Sequence, residues 1–183
     1  THGKTTTSSI LGHILFECGV DVTAFVGGIV ENYDSNLIGN GKTVTVVEAD
    51  EFDRSFLHLH PDIACVTSMD GVSCAVNEEA DYTAFNVRIK NSQYVFDVKT
   101  PTETIQNIEF SLPGKHNLMN ALMALAMAKT FSLPTEDIAN ALRSFKGIKR
   151  RFSYQIKNEK LVYIDDYAHH PTEINAVHQA VRE

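Results

Sequence analysis

Thr1-His2-Gly3-Lys4-Thr5-Thr6 runs without a break into a helical pattern, and this junction constrains the fold more than any other feature of the chain. From Lys4 to Cys18 the residues Ile10, Ile14 and Leu15 fall on one side of a helix, Leu11 completes the face, and Gly19 is a natural stop. A glycine directly before a helix lets the backbone come close to a ligand. The amides of the first turn then point outward, where the helix dipole favours an anion. Lys4 at that position reaches the β- and γ-phosphates of a nucleotide, and Thr5 offers its hydroxyl to Mg²⁺. The same residues also suit an ordinary capped helix with a surface lysine. A phosphate loop normally follows a buried strand and an earlier glycine, whereas this sequence begins at Thr1, inside the loop.

The pattern that follows alternates strands and helices. Val20–Val26 reads as a strand ended by Gly27-Gly28, and residues 30–42 as a polar loop. Thr43–Ala49 is β-branched and nearly continuous, as in a buried parallel strand. Phe52–Leu59 reads as a short helix and Asp62–Thr67 as another buried strand. After Asp70 the segments 72–76, 82–89, 94–98 and 104–112 alternate in polarity, with Asn91-Ser92 as a hairpin turn, which predicts an antiparallel sheet. Helices are expected at Leu118–Phe131 and at Thr135–Phe145, the second with Thr135 as N-cap and Glu136 and Asp137 in its first turn. A strand pair (152–156, 161–164) and a helix opened by Pro171 complete the chain. The fold class is therefore α/β: a P-loop NTPase-like, mainly parallel sheet flanked by helices, with a small additional antiparallel sheet, in one domain.

Composition narrows the partners. With 183 residues, 43% hydrophobic and 21% charged, the chain has the make-up of a soluble domain, and no apolar run approaches the roughly 20 residues of a membrane span. A net charge of −7 argues against a nucleic-acid partner, which needs a basic face. No membrane or nucleic-acid partner is therefore expected. Cys18, Cys65 and Cys74 lack metal-ligand spacing and sit in apolar stretches, so they read as reduced core residues of a cytoplasmic protein.

Four further clusters bear on chemistry. Glu48-Ala49-Asp50-Glu51-Phe52-Asp53 follows a β-branched strand, where ligands sit in open α/β sheets. Glu48 there would hold Mg²⁺ beside the loop; four acids in six residues also suit a solvated face or a helix cap. In Gly114-Lys115-His116-Asn117-Leu118-Met119-Asn120, Asn117 reads equally as an N-cap, His116 as a loop histidine or a ligand contact, and Asn120 as a polar side chain able to read an adenine edge. Lys146–Arg151 is a basic cluster, either solvated or presenting an arginine to transferring phosphate. Asp165-Asp166-Tyr167-Ala168-His169-His170-Pro171 places acids and histidines at a strand-to-helix junction, where a metal role for His169 and His170 stays open. His58 and His60 read as surface residues.

Taken in order, T-H-G-K-T-T-T (1–7), E-A-D-E-F-D-R-S-F-L (48–57), G-K-H-N-L-M-N-A (114–121), R-R-F (150–152) and D-D-Y-A-H-H-P-T-E (165–173) resemble the central ATP-binding domain of the Mur ligase family. The resemblance covers the whole chain. Within the family, the second and last motifs look most like members that join L-alanine to UDP-N-acetylmuramate. It implies two further domains, an N-terminal one for UDP and a C-terminal one for the amino acid. It implies ATP and Mg²⁺ as cofactors, UDP-N-acetylmuramate and L-alanine as partners in the full enzyme, and an acyl phosphate on the muramoyl carboxylate. By position, Thr1, His2, Gly3, Lys4, Thr5 and Thr6 resemble the phosphate loop, with Thr5 and Glu48 as metal ligands. Asn120 resembles the adenine reader with Asn117 beside it, His116 a histidine near the phosphates, Arg151 the arginine on the terminal phosphate, Asp166 a ribose-side ligand and Asn36 a further nucleotide contact. The catalytic set so implied is Lys4, Glu48, His116 and Arg151.

One departure stands out. The family pattern continues after the Thr67–Asp70 strand with an Asp-His pair, whereas Asp70 here precedes Gly71-Val72-Ser73. The expectation is that residues are absent between 70 and 71, as well as before Thr1. Alternatives to the first reading are a murein-peptide recycling ligase and a folate polyglutamylating ligase within the same class. A P-loop switch ATPase is the alternative of another class; it has no evident use for the H-N-x-x-N and D-D-Y-A-H-H-P segments.

Overall fold

A computed structural model describes residues 3–49, 56–65, 73–90 and 93–182. Helix α1 (Lys4–Glu17) lies on a sheet of three strands, β1 (Val22–Val30), β2 (Ser35–Gly39) and β3 (Val44–Val47), with β1 in the centre. β1 runs parallel to β3 (Val22↔Val44 through Phe25↔Val47) and antiparallel to β2 (Ala24↔Ile38, Phe25↔Leu37). Alternation sends Val22, Ala24, Val26, Ile38 and Val46 inward, against Ile10, Leu11, Ile14 and Leu15. The helix sits very close: a Cβ at Gly12 would meet Ala24 Cβ at 2.6 Å.

The second sheet has the order β4 (Cys74–Val76), β5 (Tyr82–Lys90), β6 (Gln93–Lys99), β7 (Thr104–Phe110). β4 is parallel to β5, and the other two ladders are antiparallel. β6 is buried from Tyr94 to Val98, Asp97 included. That carboxylate accepts the Asn107 amide at 2.8 Å and the Asn86 side chain at 2.9 Å, which hold it below the usual carboxylate range. Both asparagines are left-handed (φ 57° and 50°), at irregularities of β7 and β5, so one buried acid fixes the distortion of two strands.

Helix α2 (Lys115–Lys129) packs against α1 and β4, and α3 (Thr135–Ser144) against β7 and α1. The alanine-rich face of α2 (Ala121, Ala124, Ala128) is fully buried and permits this approach. A hairpin, β8 (Ser153–Lys157) with β9 (Val162–Asp165), leads to α4 (Pro171–Val181), which opens with proline and a capping box of His170 and Glu173. The α/β class with an additional antiparallel sheet holds, and the sheets are mixed. Among the described residues no helix is long and apolar enough to cross a membrane.

Several local expectations are corrected. Gly27 and Gly28 do not end β1; the strand continues to Val30 through an irregular register. Residues 30–42 contain β2, anchored by the buried Ile38. Residues 62–65 are exposed and not a strand, and Phe56–His58 form one 3₁₀ turn. Thr135 is the first residue of α3 and not its N-cap, because its hydroxyl bonds Glu103 at 2.8 Å. Cys18 and Cys74 pack against the core while Cys65 is exposed, and all three are free thiols. Positions 66–72, with the 70–71 junction, and the turn residues 91–92 lie outside the described residues.

His13 is fully buried on α1 and joins three elements. Its Nε2 lies 3.0 Å from both the Ala141 carbonyl and Ser144 Oγ, and its Nδ1 is 2.6 Å from the Tyr33 hydroxyl. A carbonyl only accepts, so Nε2 carries the proton and Nδ1 accepts from Tyr33. Burial pulls the imidazole pKa below its ordinary value, against smaller opposing pulls from Glu17 and the Ala141 carbonyl. The fold therefore prefers neutral His13. Its contribution is complete above the unfolded value of about 6.5 and is lost as pH falls below it. Calorimetric melting between about pH 7 and 5 should show the midpoint falling on acidification, with a shallower slope in His13→Gln; equal slopes would exclude His13 as the cause.

Candidate functional site

β3 and β1 are parallel, so their carboxyl ends open on the same side, beside the start of α1. Gly3 is the N-cap of α1, left-handed at φ 87°, with no side-chain cap and no acid in the first turn. A Cβ there would meet Asn120 Oδ1 at 2.4 Å, so α2 lies directly under the loop. Thr7 Oγ1 approaches Asn120 Oδ1 at 3.4 Å, and the Asn117 side chain donates to the Pro113 carbonyl at 2.8 Å. Both asparagines are buried, at 6% exposure; Asn120 ties the start of α2 to the start of α1, and Asn117 supports it from the same helix.

Glu48, the residue after β3, is the joint of the site. Thr5 Oγ1 donates to Glu48 Oε1 at 2.7 Å, and the Gly27 amide donates to Oε2 at 2.8 Å. One carboxylate thus connects α1, β1 and the end of β3. The two hard oxygens of Thr5 and Glu48 also suit Mg²⁺: adjacent ligands on an octahedral ion with bonds of 2.0–2.1 Å are roughly 2.9 Å apart. Among the described residues no group of three or more His, Cys, Asp or Glu could hold a metal. His169 and His170 therefore do not join a chelating cluster; the His170 side chain instead accepts from the Thr172 amide at the start of α4.

Arg151 is brought in by backbone pairing. The Lys149 amide donates to Ile29 O at 2.8 Å, the Glu31 amide to Gly147 O at 2.9 Å, and Val30 bridges to Ile148. Asn32 locks the same segment from both sides, accepting the Lys146 amide and donating to the Ser144 carbonyl, each at 2.8 Å. Segment 146–151 therefore runs along the distal part of β1, and a Cβ at Gly28 would collide with Ile148 at 2.7 Å. Arg150 and Phe152 are both left-handed (φ 61° and 53°) on either side of Arg151. Asp166 receives the Phe152 amide and the Ala168 amide, each at 2.7 Å, and the Tyr167 amide donates to Arg150 O at 2.8 Å. The Arg150 guanidinium lies over the Tyr167 ring.

The result is an open cleft of about 80 Å³ lined by Gly3, Lys4, Thr5, Thr6, Glu48, Arg151 and Glu173. Six of these seven were read from sequence. Asn120 lies beneath the loop with Asn117 hydrogen-bonded to it, and Asp166 holds the turn that carries Arg151. His116 is exposed and lines a separate hollow of about 110 Å³ with Lys115, Ala176, Gln179 and Ala180. Asn36 is exposed on the edge strand β2 and does not line the cleft. Thr1 and His2 lie outside the described residues. Sequence reasoning missed Glu173 and Gly27. The H-P-T-E spacing of a capping box signalled the first; Gly27 had only its place in the Gly27-Gly28 pair, which read as a strand end.

Gly27 is required by proximity, since a Cβ would stand 2.6 Å from Glu48 Oε2 and 3.1 Å from Thr5 Oγ1. Gly27→Ala should displace the carboxylate and destabilise the domain by about 1–3 kcal/mol in urea denaturation. An unchanged midpoint would show that Glu48 is not held in this way.

The model of the Mur ligase middle domain matches residues 42–128. The UDP-N-acetylmuramate–L-alanine ligase of Flavobacterium johnsoniae is 65% identical over 222 aligned positions, covering 100% of this chain and 49% of the relative. That of Cytophaga hutchinsonii is 38% identical, covering 100% of the chain and 50% of the relative. The chain thus spans about half the length of the curated relatives it matches. Among solved structures, the UDP-N-acetylmuramate-alanine ligase of Thermotoga maritima superposes with a TM-score of 0.82 at 22% identity, over 100% of this chain and 52% of that one, which speaks for the fold. The chain belongs to the Mur ligase family, matching it through the family's middle domain.

Proposed function

We propose that this domain binds Mg²⁺·ATP and supplies phosphoryl transfer for a ligase that joins L-alanine to UDP-N-acetylmuramate. The carrying observation is the cleft that gathers Lys4, Thr5, Glu48 and Arg151 from three separate parts of the chain. Lys4 and Arg151 are the cations for phosphate oxygens, and the bare N-terminus of α1 adds amides aimed the same way. Thr5 and Glu48 would hold Mg²⁺, which would neutralise phosphate charge as a Lewis acid. The muramoyl carboxylate takes the terminal phosphoryl group of ATP with release of ADP, the amine of L-alanine attacks the acyl phosphate and loses a proton, and phosphate leaves. The domain's own part is alignment and charge neutralisation.

The names of the curated relatives support L-alanine and UDP-N-acetylmuramate over the recycling and folate alternatives. They support the ligase over a switch ATPase as well. Free thiols at Cys18, Cys65 and Cys74 support a cytoplasmic setting. The family match and the half-length coverage support UDP-binding and amino-acid-binding domains on either side in the full enzyme. The alignment with the Flavobacterium johnsoniae relative runs over 222 positions against 183 residues here, at least 39 more. This supports a segment present in relatives and absent from this chain, which we assign to the 70–71 junction.

Calorimetric titration with ATP and Mg²⁺ tests the reading. Lys4→Ala should weaken binding at least about tenfold, a loss of about 1.4 kcal/mol. Glu48→Gln should remove most of the gain in affinity that Mg²⁺ gives. Equal binding by the parent chain and Lys4→Ala would overturn the placement of the nucleotide on this loop.

A further inference from the structure

We propose that Asp166 is a positioning residue for Arg151, and that it tunes discrimination for the terminal phosphate of the nucleotide. This inference deepens the ATP-binding reading and rests on it.

Arg151 reaches the cleft from a turn that the backbone does not favour. Its neighbours Arg150 and Phe152 both sit in the left-handed region without being glycine. Such a conformation costs of order 1–3 kcal/mol per residue and persists only where its surroundings enforce it. Phe152 is buried at 3% exposure, which anchors one side. The other restraint is Asp166. Its Oδ2 takes the Phe152 amide, and its Oδ1 takes the Ala168 amide. Between them the Tyr167 amide returns to the Arg150 carbonyl. Two hydrogen bonds therefore clamp residues 150–152 to 166–168, one of them ending on the Asp166 carboxylate, and the Ala168 amide fixes that carboxylate in place. Amide bonds to a charged acceptor are the stronger kind.

The clamp has a selective purpose. Arg150 is occupied with the Tyr167 ring and, at 3.8 Å, with the Asp165 carboxylate. Arg151 alone of the pair lines the cleft with Lys4, Thr5 and Glu48. An arginine held in advance loses less freedom on meeting phosphate, so its binding contribution depends on how well its turn is fixed. Asp166→Asn keeps the size of the side chain but replaces one acceptor with an amide donor facing a backbone N–H. The side chain then loses one of its two accepted bonds and meets a repulsive contact, which loosens either the Phe152 amide directly or the seating of residue 166 that holds it.

The experiment is calorimetric titration of the parent chain, Asp166→Asn, Arg151→Ala and the double variant with Mg²⁺·ATP, Mg²⁺·ADP and Mg²⁺·2′-deoxy-ATP. Asp166→Asn should weaken ATP about tenfold, leave ADP within about twofold, and leave the ratio of ATP to 2′-deoxy-ATP unchanged. The double variant should bind ATP no more weakly than Arg151→Ala, since both act through one group. A changed 2′-deoxy ratio with the ATP-to-ADP ratio intact would make Asp166 a ribose contact and overturn the proposal. So would additive losses in the double variant. A merely structural role would lower all three affinities together, which also overturns it. The Arg151 Nε–H resonance, recorded without nucleotide, separates this idea from the ATP reading. Asp166→Asn should shift it toward that of a free arginine even if the parent chain binds no ATP, and an unmoved resonance would sink the proposal on its own.

Discussion

The Glu48 carboxylate is the contact on which the rest of the site depends. It follows β3, receives a hydroxyl from the first turn of α1, and receives an amide from the middle of β1. Hydrogen bonds to a charged group contribute about 1.5–3 kcal/mol each, enough to hold a strand out of regular register. β1 is irregular between Phe25 and Val30, and Gly27 lies within that stretch. Beyond it the strand meets segment 146–151, which brings Arg151 to the cleft. The same oxygens that join the fold also form the pair suited to Mg²⁺. A site assembled by its own structural bonds needs little rearrangement to receive its ligand.

Among the described residues, the four helices divide into two kinds at their N-termini. α3 carries Glu136 and Asp137 in its first turn, and α4 carries a full capping box with Glu173. Acids of the protein itself thus offset the dipole at both ends, although only α4 has a side-chain cap. α1 and α2 instead open with Gly-Lys, have no side-chain cap and have no acid in the first turn. The positive end of the dipole is left for an external anion only where the loop is also shaped for one. At α1 that shape comes from Asn120, which fills the space a Cβ on Gly3 would occupy. A residue read from sequence as a base contact is thus also the floor of the phosphate loop.

Signals of short range were the legible ones. The helix after Gly3, the alternating strands β5 to β7 and the proline-opened α4 each repeat a local period, and all appear where expected. Glu48 was legible because a β-branched strand ended in an acid beside a loop. What escaped depends on partners distant in sequence. β2 is an edge strand with Ile38 fully buried amid polar neighbours, so its composition read as loop. The Thr135 hydroxyl was claimed by Glu103, 32 residues away. Arg151 was recognised by motif, yet the reason it arrives lies in the Ile29 carbonyl and the Asp166 carboxylate, which no window around residue 151 contains.

The basic run 146–151 shows how an acidic chain can still offer cations to an anion. Lys149 pairs with Asp34, whose carboxyl is held below its usual range by that ammonium. Arg150 is engaged by Tyr167 and Asp165. The run therefore presents no continuous basic patch for a polyanion, and Arg151 is the member of it that lines the cleft. Inside, Lys4 and Arg151 face Glu48 and Glu173, two charges of each sign. Such a balanced site gains little from a bare polyphosphate, whose charge the two carboxylates oppose. A phosphate carrying its own divalent cation meets both signs at once, with the anion toward the lysine and arginine and the metal toward Glu48. On the proposed reading, charge arrangement thus favours a metal–nucleotide complex over either component, helped by the prior pairing of Lys149 and Arg150.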